Sequence, residues 1–137
     1  MEQLPKPTYF IDGVNFADFA GFMEECNCGF IRETSGGGEC GGNLDAFHDY
    51  LYWWGKDSKA VAWRLVWRNS AWSRRNLGHQ AMARWLMEHL EEFHPGTDVY
   101  ADFAARLEMA NRHEGITMFD WLVEIIRENP HIELCLE

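Results

Sequence analysis

Positive charge is scarce in this chain. Its 12 lysines and arginines stand against 22 aspartates and glutamates, a formal net charge of −10. Nucleic acids and anionic membranes are bound mainly through basic side chains, so neither is expected as a partner. Long apolar runs are also missing: none approaches the roughly 18 residues that a bilayer span requires. The opening residues, MEQLPKPTYF, lack a basic-then-apolar leader, and the expected compartment is the cytoplasm. Cysteine is limited to Cys26, Cys28, Cys40 and Cys135. Without a leader, disulfides are not expected and reduced thiols are the simpler reading. A zinc site from Cys26, Cys28, Cys40 and His48 is conceivable, but C-x-C is not the usual C-x₂-C knuckle and no second pair exists. The stretch ETSGGGECGG (Glu33 to Gly42) has the glycines of a phosphate cradle. It lacks the lysine of GxxxxGK[ST] and carries Glu39, which would repel a phosphate. No cofactor or metal is therefore expected.

What is present is an ordinary globular composition. Hydrophobic residues make up 47% of the 137, charged residues 25%, and there are seven tryptophans, enough for one domain with an aromatic core. The acidity is uneven: residues 1–60 carry a net −6, residues 61–94 a net +2 and residues 95–137 a net −6. Such a surface keeps a protein soluble, and it also steers a basic partner into contact.

Periodicity suggests alternating elements. TYFIDG (Thr8 to Gly13) reads as a strand ended by an Asp-Gly turn. Asn15 is a candidate cap for a helix to about Cys26, with Phe16, Phe19, Ala20 and Met23 inward. The glycine-rich stretch 33–42 reads as a loop. Asn43 then caps a helix to about Trp54, on which Leu44, Phe47, Leu51 and Trp54 form the buried stripe. VAWRLVWRNS (Val61 to Ser70) carries apolar residues on both faces, as a central strand does. Asn76 to Gly96 reads as a helix with Met82, Trp85, Leu86, His89, Leu90 and Phe93 on one side; His89 is expected at the core edge. Thr97 caps a helix with Phe103 and Leu107 inward, ending near Gly115. Thr117 caps the last helix, with Phe119, Leu122, Val123 and Ile126 inward, up to Pro130. His131 to Leu136 is a closing strand. Strands separated by helices imply a parallel sheet with right-handed crossovers.

GGNLDAFHDY (Gly41 to Tyr50) places Asp45 and Asp49 four residues apart. On a helix such a pair costs roughly 0.2–0.5 kcal/mol, and no lysine or arginine stands at i±3 or i±4 to relieve it. Asp45 lies in the first turn, where the helix dipole favours it; Asp49 lies further in. With His48 and Tyr52 they share one face. A solvated acidic face is the simple interpretation. A site that meets a partner's cations is the functional one. Acid–base chemistry at Asp45, His48 and Asp49, or a Cys40–His48 nucleophile pair, is a third reading, weakened by the absence of an orienting group.

The run Gly41-Gly42-Asn43-Leu44-Asp45-Ala46-Phe47-His48-Asp49 resembles the barstar family of ribonuclease inhibitors. That family has a glycine, a variable residue, Asn-Leu-Asp-Ala, a hydrophobic residue, usually Trp, and Asp. FIDG fits its opening strand, LVWRN (Leu65 to Asn69) its central strand, and IIREN (Ile125 to Asn129) its closing helix. The resemblance covers most of residues 8–70 and 117–137 and makes about 72–116 a helical insertion into a single domain. It implies an α/β fold with a small three-stranded parallel sheet packed with helices. It implies an intracellular, immunity-type inhibitor, not an enzyme, forming a 1:1 complex as a monomer with a basic nuclease, most simply a ribonuclease. Asp49 matches the aspartate inserted among the nuclease's cations, Asp45 a second contact, Glu128 a peripheral acidic contact and Gly41 the loop glycine. Two positions depart: Glu39 falls at or near the family's loop tyrosine and His48 at its contact tryptophan. Those departures suit a different target, which leaves a barstar-fold interaction or immunity protein for a partner that is not a ribonuclease as the alternative.

Overall fold

The structure, a computed structural model, describes residues 7–35, 41–57 and 62–137, the side chains of 35 and 53–57 excepted. Three strands form one parallel sheet in the order β1 (Thr8–Asp12), β2 (Trp63–Arg68), β3 (Ile132–Leu136). Tyr9 pairs with Leu65 and Ile11 with Trp67, while Trp63 pairs with Ile132 and Trp67 with Leu136. The strand with apolar residues on both faces is the central one, as its pattern predicts.

One face of the sheet carries the core. Trp63, Leu65 and Trp67 are fully buried on it. α1 (Phe19–Cys28) reaches it through Phe22, stacked on Trp67 at 5.3 Å between ring centres. α2 (Phe30–Ser35) reaches it through Phe30, 5.7 Å from Trp63. α3 (Leu44–Asp57) inserts Phe47 between those two phenylalanines. α7 (Met118–Arg127) contributes Phe119, 5.0 Å from Trp67. On the opposite face Phe10 is 43% exposed under the Arg68 guanidinium, and Arg64 pairs with Glu133 at 3.2 Å.

The segment expected as an insertion is α4 (Ser70–Asn76), α5 (His79–Leu90) and α6 (Asp98–Asn111). It contributes Leu77, Met82, Trp85, Leu86 and Ala110 to the same hydrophobic cluster as the sheet. α5 and α6 pack on each other and α5 on α7, with Phe103 and Leu107 at the core edge. His89 stacks on Trp85 at 3.9 Å and bonds the Trp85 carbonyl, the core-edge position expected of it.

Several boundaries differ from the sequence reading. The Asp-Gly turn continues as a 3-10 turn, Gly13–Asn15, so the cap of α1 is Asp18, whose Oδ1 accepts from Gly21 N at 2.7 Å. That later start turns Ala20 to solvent and Phe22 inward. Helix α2 takes up Glu33 to Ser35, the start of the expected loop. The helix expected from Asn76 begins instead at His79, because α4 ends at Asn76 and Gly78 opens α5. α6 stops at Asn111, four residues before Gly115. Thr117, Thr97 and Asn43 cap as their spacing predicts.

Gly13 is a place where only glycine fits. A Cβ there would lie 2.5 Å from the Asn69 carbonyl oxygen and against Ser73 Oγ. Gly13→Ala is expected to cost about 1–3 kcal/mol by overpacking; urea unfolding checks it, and unchanged stability would show that α4 can move away. The same corner holds Asp12, whose pKa is lowered by the Asn69 side-chain bond and then by the Val14 amide.

His131, at the entrance to β3, has its pKa lowered by burial, partly offset by a bond to the Leu51 backbone. Folding therefore favours the neutral ring. This contribution is fully present above the unfolded value of 6.5 and is lost as pH falls through the lower folded value. Urea unfolding at neutral pH and at mildly acidic pH should show a loss of stability on acidification that is smaller in His131→Gln.

Candidate functional site

Gly41 opens the site. Its φ of +100° lies in the region that favours glycine, and its carbonyl accepts a 2.7 Å bond from Asn27 of α1. Asn43 Oδ1 then accepts from Ala46 N at 2.7 Å, which starts α3 with its first turn toward solvent. Leu44, Phe47 and Leu51 are buried, and Tyr50 bonds Thr34 and the Ile31 carbonyl of α2. With that face fixed inward, Asp45, His48, Asp49 and Tyr52 are all exposed. The 3.6-residue spacing that predicts two faces is thus realised. The stripe's last member, Trp54, lies outside the residues whose side chains are described.

His48 is not a free ring. Its Nε2 lies 3.2 Å from Glu128 Oε2 on the residue that closes α7, and its Nδ1 lies 3.9 Å from Asp49 Oδ1. One imidazole therefore sits between two carboxylates that are 79 residues apart in the sequence. The three side chains are well exposed, at 46% for His48, 73% for Asp49 and 54% for Glu128. Exposed pairs of this kind are individually weak, so a competing cation can displace the imidazole. Among the described residues neither Asp49 nor Asp45 has a lysine or arginine partner, and Asp49 has the His48 ring beside it.

Two further carboxylates, not expected as site residues, lie alongside. Asp120, at the third position of the helix capped by Thr117, and Glu124 precede Glu128 at four-residue steps on α7, are exposed, and border a shallow depression lined also by Val123 and Arg127. The signal was the repeated i, i+4 spacing. Glu39, expected at the rim, lies outside the described residues, as does Cys40 of the Cys40–His48 pair. Cys26 is buried in the core whereas Cys28 is exposed, two residues apart on α1, which suits no shared ligand. Among the described residues no three His, Cys, Asp or Glu side chains converge as a metal site. No described helix is long and apolar enough to cross a membrane.

Chemically the surface offers the carboxylates of α3 and α7, one imidazole and, beside Glu124 and Glu128, the Arg127 guanidinium. The carboxylates outnumber the arginine, so the surface can receive cationic groups. Comparison with family models, with curated proteins and with solved structures gave no match to this chain.

Proposed function

We propose that the chain is a barstar-type protein inhibitor of a basic ribonuclease. The exposed turns of α3, with the end of α7, enter the nuclease's catalytic cleft. Asp49 and Asp45 occupy positions otherwise taken by substrate phosphates, and Glu128 contacts the rim. The observation that carries this reading is the gathering of Asp45, Asp49 and Glu128 on one exposed surface, with His48 connecting the two helices. The parallel three-stranded sheet supports it, as does the net charge of −10, which would accelerate encounter with a basic enzyme and make it salt-sensitive. The helix pays the repulsion between Asp45 and Asp49 because the partner's cations relieve it.

His48 favours a second reading. Where the family has an aromatic anchor, an imidazole tied to Glu128 changes what the centre of the interface can recognise. A barstar-fold immunity or interaction protein for a basic partner that is not a ribonuclease keeps the same surface and changes the target. Affinity capture from the native host separates the two. The first reading expects a basic protein with ribonuclease activity that is silenced in the complex. A captured basic protein without nuclease activity supports the second, and an acidic partner contradicts both.

A further inference from the structure

The two edges of the sheet are finished differently. On the β1 edge, α1 and α2 pack against the strand, and the Asp12 amide donates to Glu25 Oε2 at 2.9 Å. β3 forms the other edge. Trp63 N donates to the His131 carbonyl and Glu137 N to the Trp67 carbonyl, so the odd-numbered residues of β3 carry its ladder to β2. The even-numbered residues aim their N–H and C=O groups away from β2. Of these, the Ile132 amide is taken by the Asn129 carbonyl at 2.9 Å. The Leu134 and Leu136 amides and carbonyls have no partner among the described residues. An edge left in this state is a template for another strand, and proteins usually blunt it with proline, lysine or a bulge. Ile132–Leu136 has no proline or lysine, and its register to β2 runs without interruption.

The side chains restrict the occupant. Leu134 and Leu136 are only partly buried against the core, so aliphatic groups on an added strand would complete their cover. On the other face Glu133 and Glu137 are exposed, with Cys135 between them. Glu133 holds Arg64 at 3.2 Å, whereas Glu137 has no lysine or arginine partner among the described residues. A second copy of β3 is a poor occupant. The antiparallel register that satisfies both leucines in both copies sets each Glu133 opposite Glu137 of the other copy, and like charges directly opposite are destabilising. A strand with basic residues at those positions gains where the second copy loses, and the net charge of −10 favours its approach.

We propose that the free edge of β3 receives, antiparallel, an extended segment of a basic partner protein. Its backbone bonds Leu134 and Leu136, its aliphatic side chains face those leucines, and its lysines or arginines face Glu133 and Glu137. This edge takes no part in the α3–α7 surface. The probe is the peptide acetyl-Lys-Val-Thr-Val-Lys-amide, read by amide hydrogen exchange of the full chain. In the free chain the Leu134 and Leu136 amides should exchange faster than those of Glu133 and Cys135, which bond β2. Saturating probe should slow the two leucine amides about tenfold, as added pairing raises the cost of local opening. Leu136→Pro deletes only an outward N–H, where an edge strand accepts proline, so the chain should stay folded while the probe no longer protects Leu134. Glu137→Lys, which leaves the backbone unchanged, should weaken probe binding about threefold, the loss of one cross-strand charge pair. The proposal is overturned if Leu134 and Leu136 are as protected as Cys135 without the probe, or if millimolar probe leaves their exchange unchanged. It is equally overturned if acetyl-Glu-Val-Thr-Val-Glu-amide, or the probe methylated on both valine nitrogens, protects them as well as the probe does.

Discussion

Asp49→Ala should weaken the proposed complex by about 2–5 kcal/mol, the cost of truncating one member of a buried, hydrogen-bonded charge pair. Charge pairs at the interface of the barstar family's own prototype complex lie behind that range, which is a measured precedent and not a value obtained from this chain. The reason to expect it here is local. Asp49 projects from the middle of α3, is 73% exposed in the free protein and, among the described residues, lies near the His48 ring at 3.9 Å. Removing it takes away a like charge facing Asp45, worth roughly 0.2–0.5 kcal/mol in favour of the helix. Affinity should therefore fall while thermal stability holds or rises slightly. Calorimetric titration of the captured partner, paired with a melting curve, reads both. A mutant that binds undiminished would mean that the carboxylate does not enter the interface. A mutant that loses binding and stability together would mean that Asp49 supports the fold.

The largest expected effect on the fold itself is at Trp67. It is fully buried at the centre of β2, stacked on Phe22 and 5.0 Å from Phe119. Its Nε1 donates to Ser73 Oγ at 3.0 Å, which ties the sheet to α4. Trp67→Ala should cost about 3–5 kcal/mol through lost burial and an unfilled cavity. That is a large share of the roughly 5–15 kcal/mol typical of a domain. Trp67→Phe keeps most of the ring and loses the bond, so about 1–3 kcal/mol is expected from the stranded hydroxyl. Urea unfolding followed by circular dichroism orders the two. Equal losses would assign the effect to the hydrogen bond instead of the packing, against this account.

Why some of this was legible in the sequence follows from the range of the interactions. Thr97, Thr117 and Asn43 announce their helices because a cap and the amides it binds lie within three residues. The central strand announces itself because Trp63, Leu65, Val66 and Trp67 are all buried there. Asn15 misleads because the Asp12 carboxylate accepts from Val14 and turns the chain once more before Asp18 can cap. α4 has no apolar stripe to read; it is held by Ser73 under Trp67 and by Arg74 over the Phe119 ring. The acidic face of α3 is periodic and so was visible. The bond from His48 to Glu128 was not, because it depends on how α3 and α7 pack.

The central claim is that the carboxylates of α3 occlude a basic ribonuclease's catalytic cleft. Titrating the activity of the captured ribonuclease against the protein tests it most directly. Activity should fall to zero at one equivalent of the parent chain and should persist at the same concentration of the Asp45→Ala, Asp49→Ala double variant. Equal inhibition by parent and double variant would contradict the claim, since a different surface would then be closing the cleft.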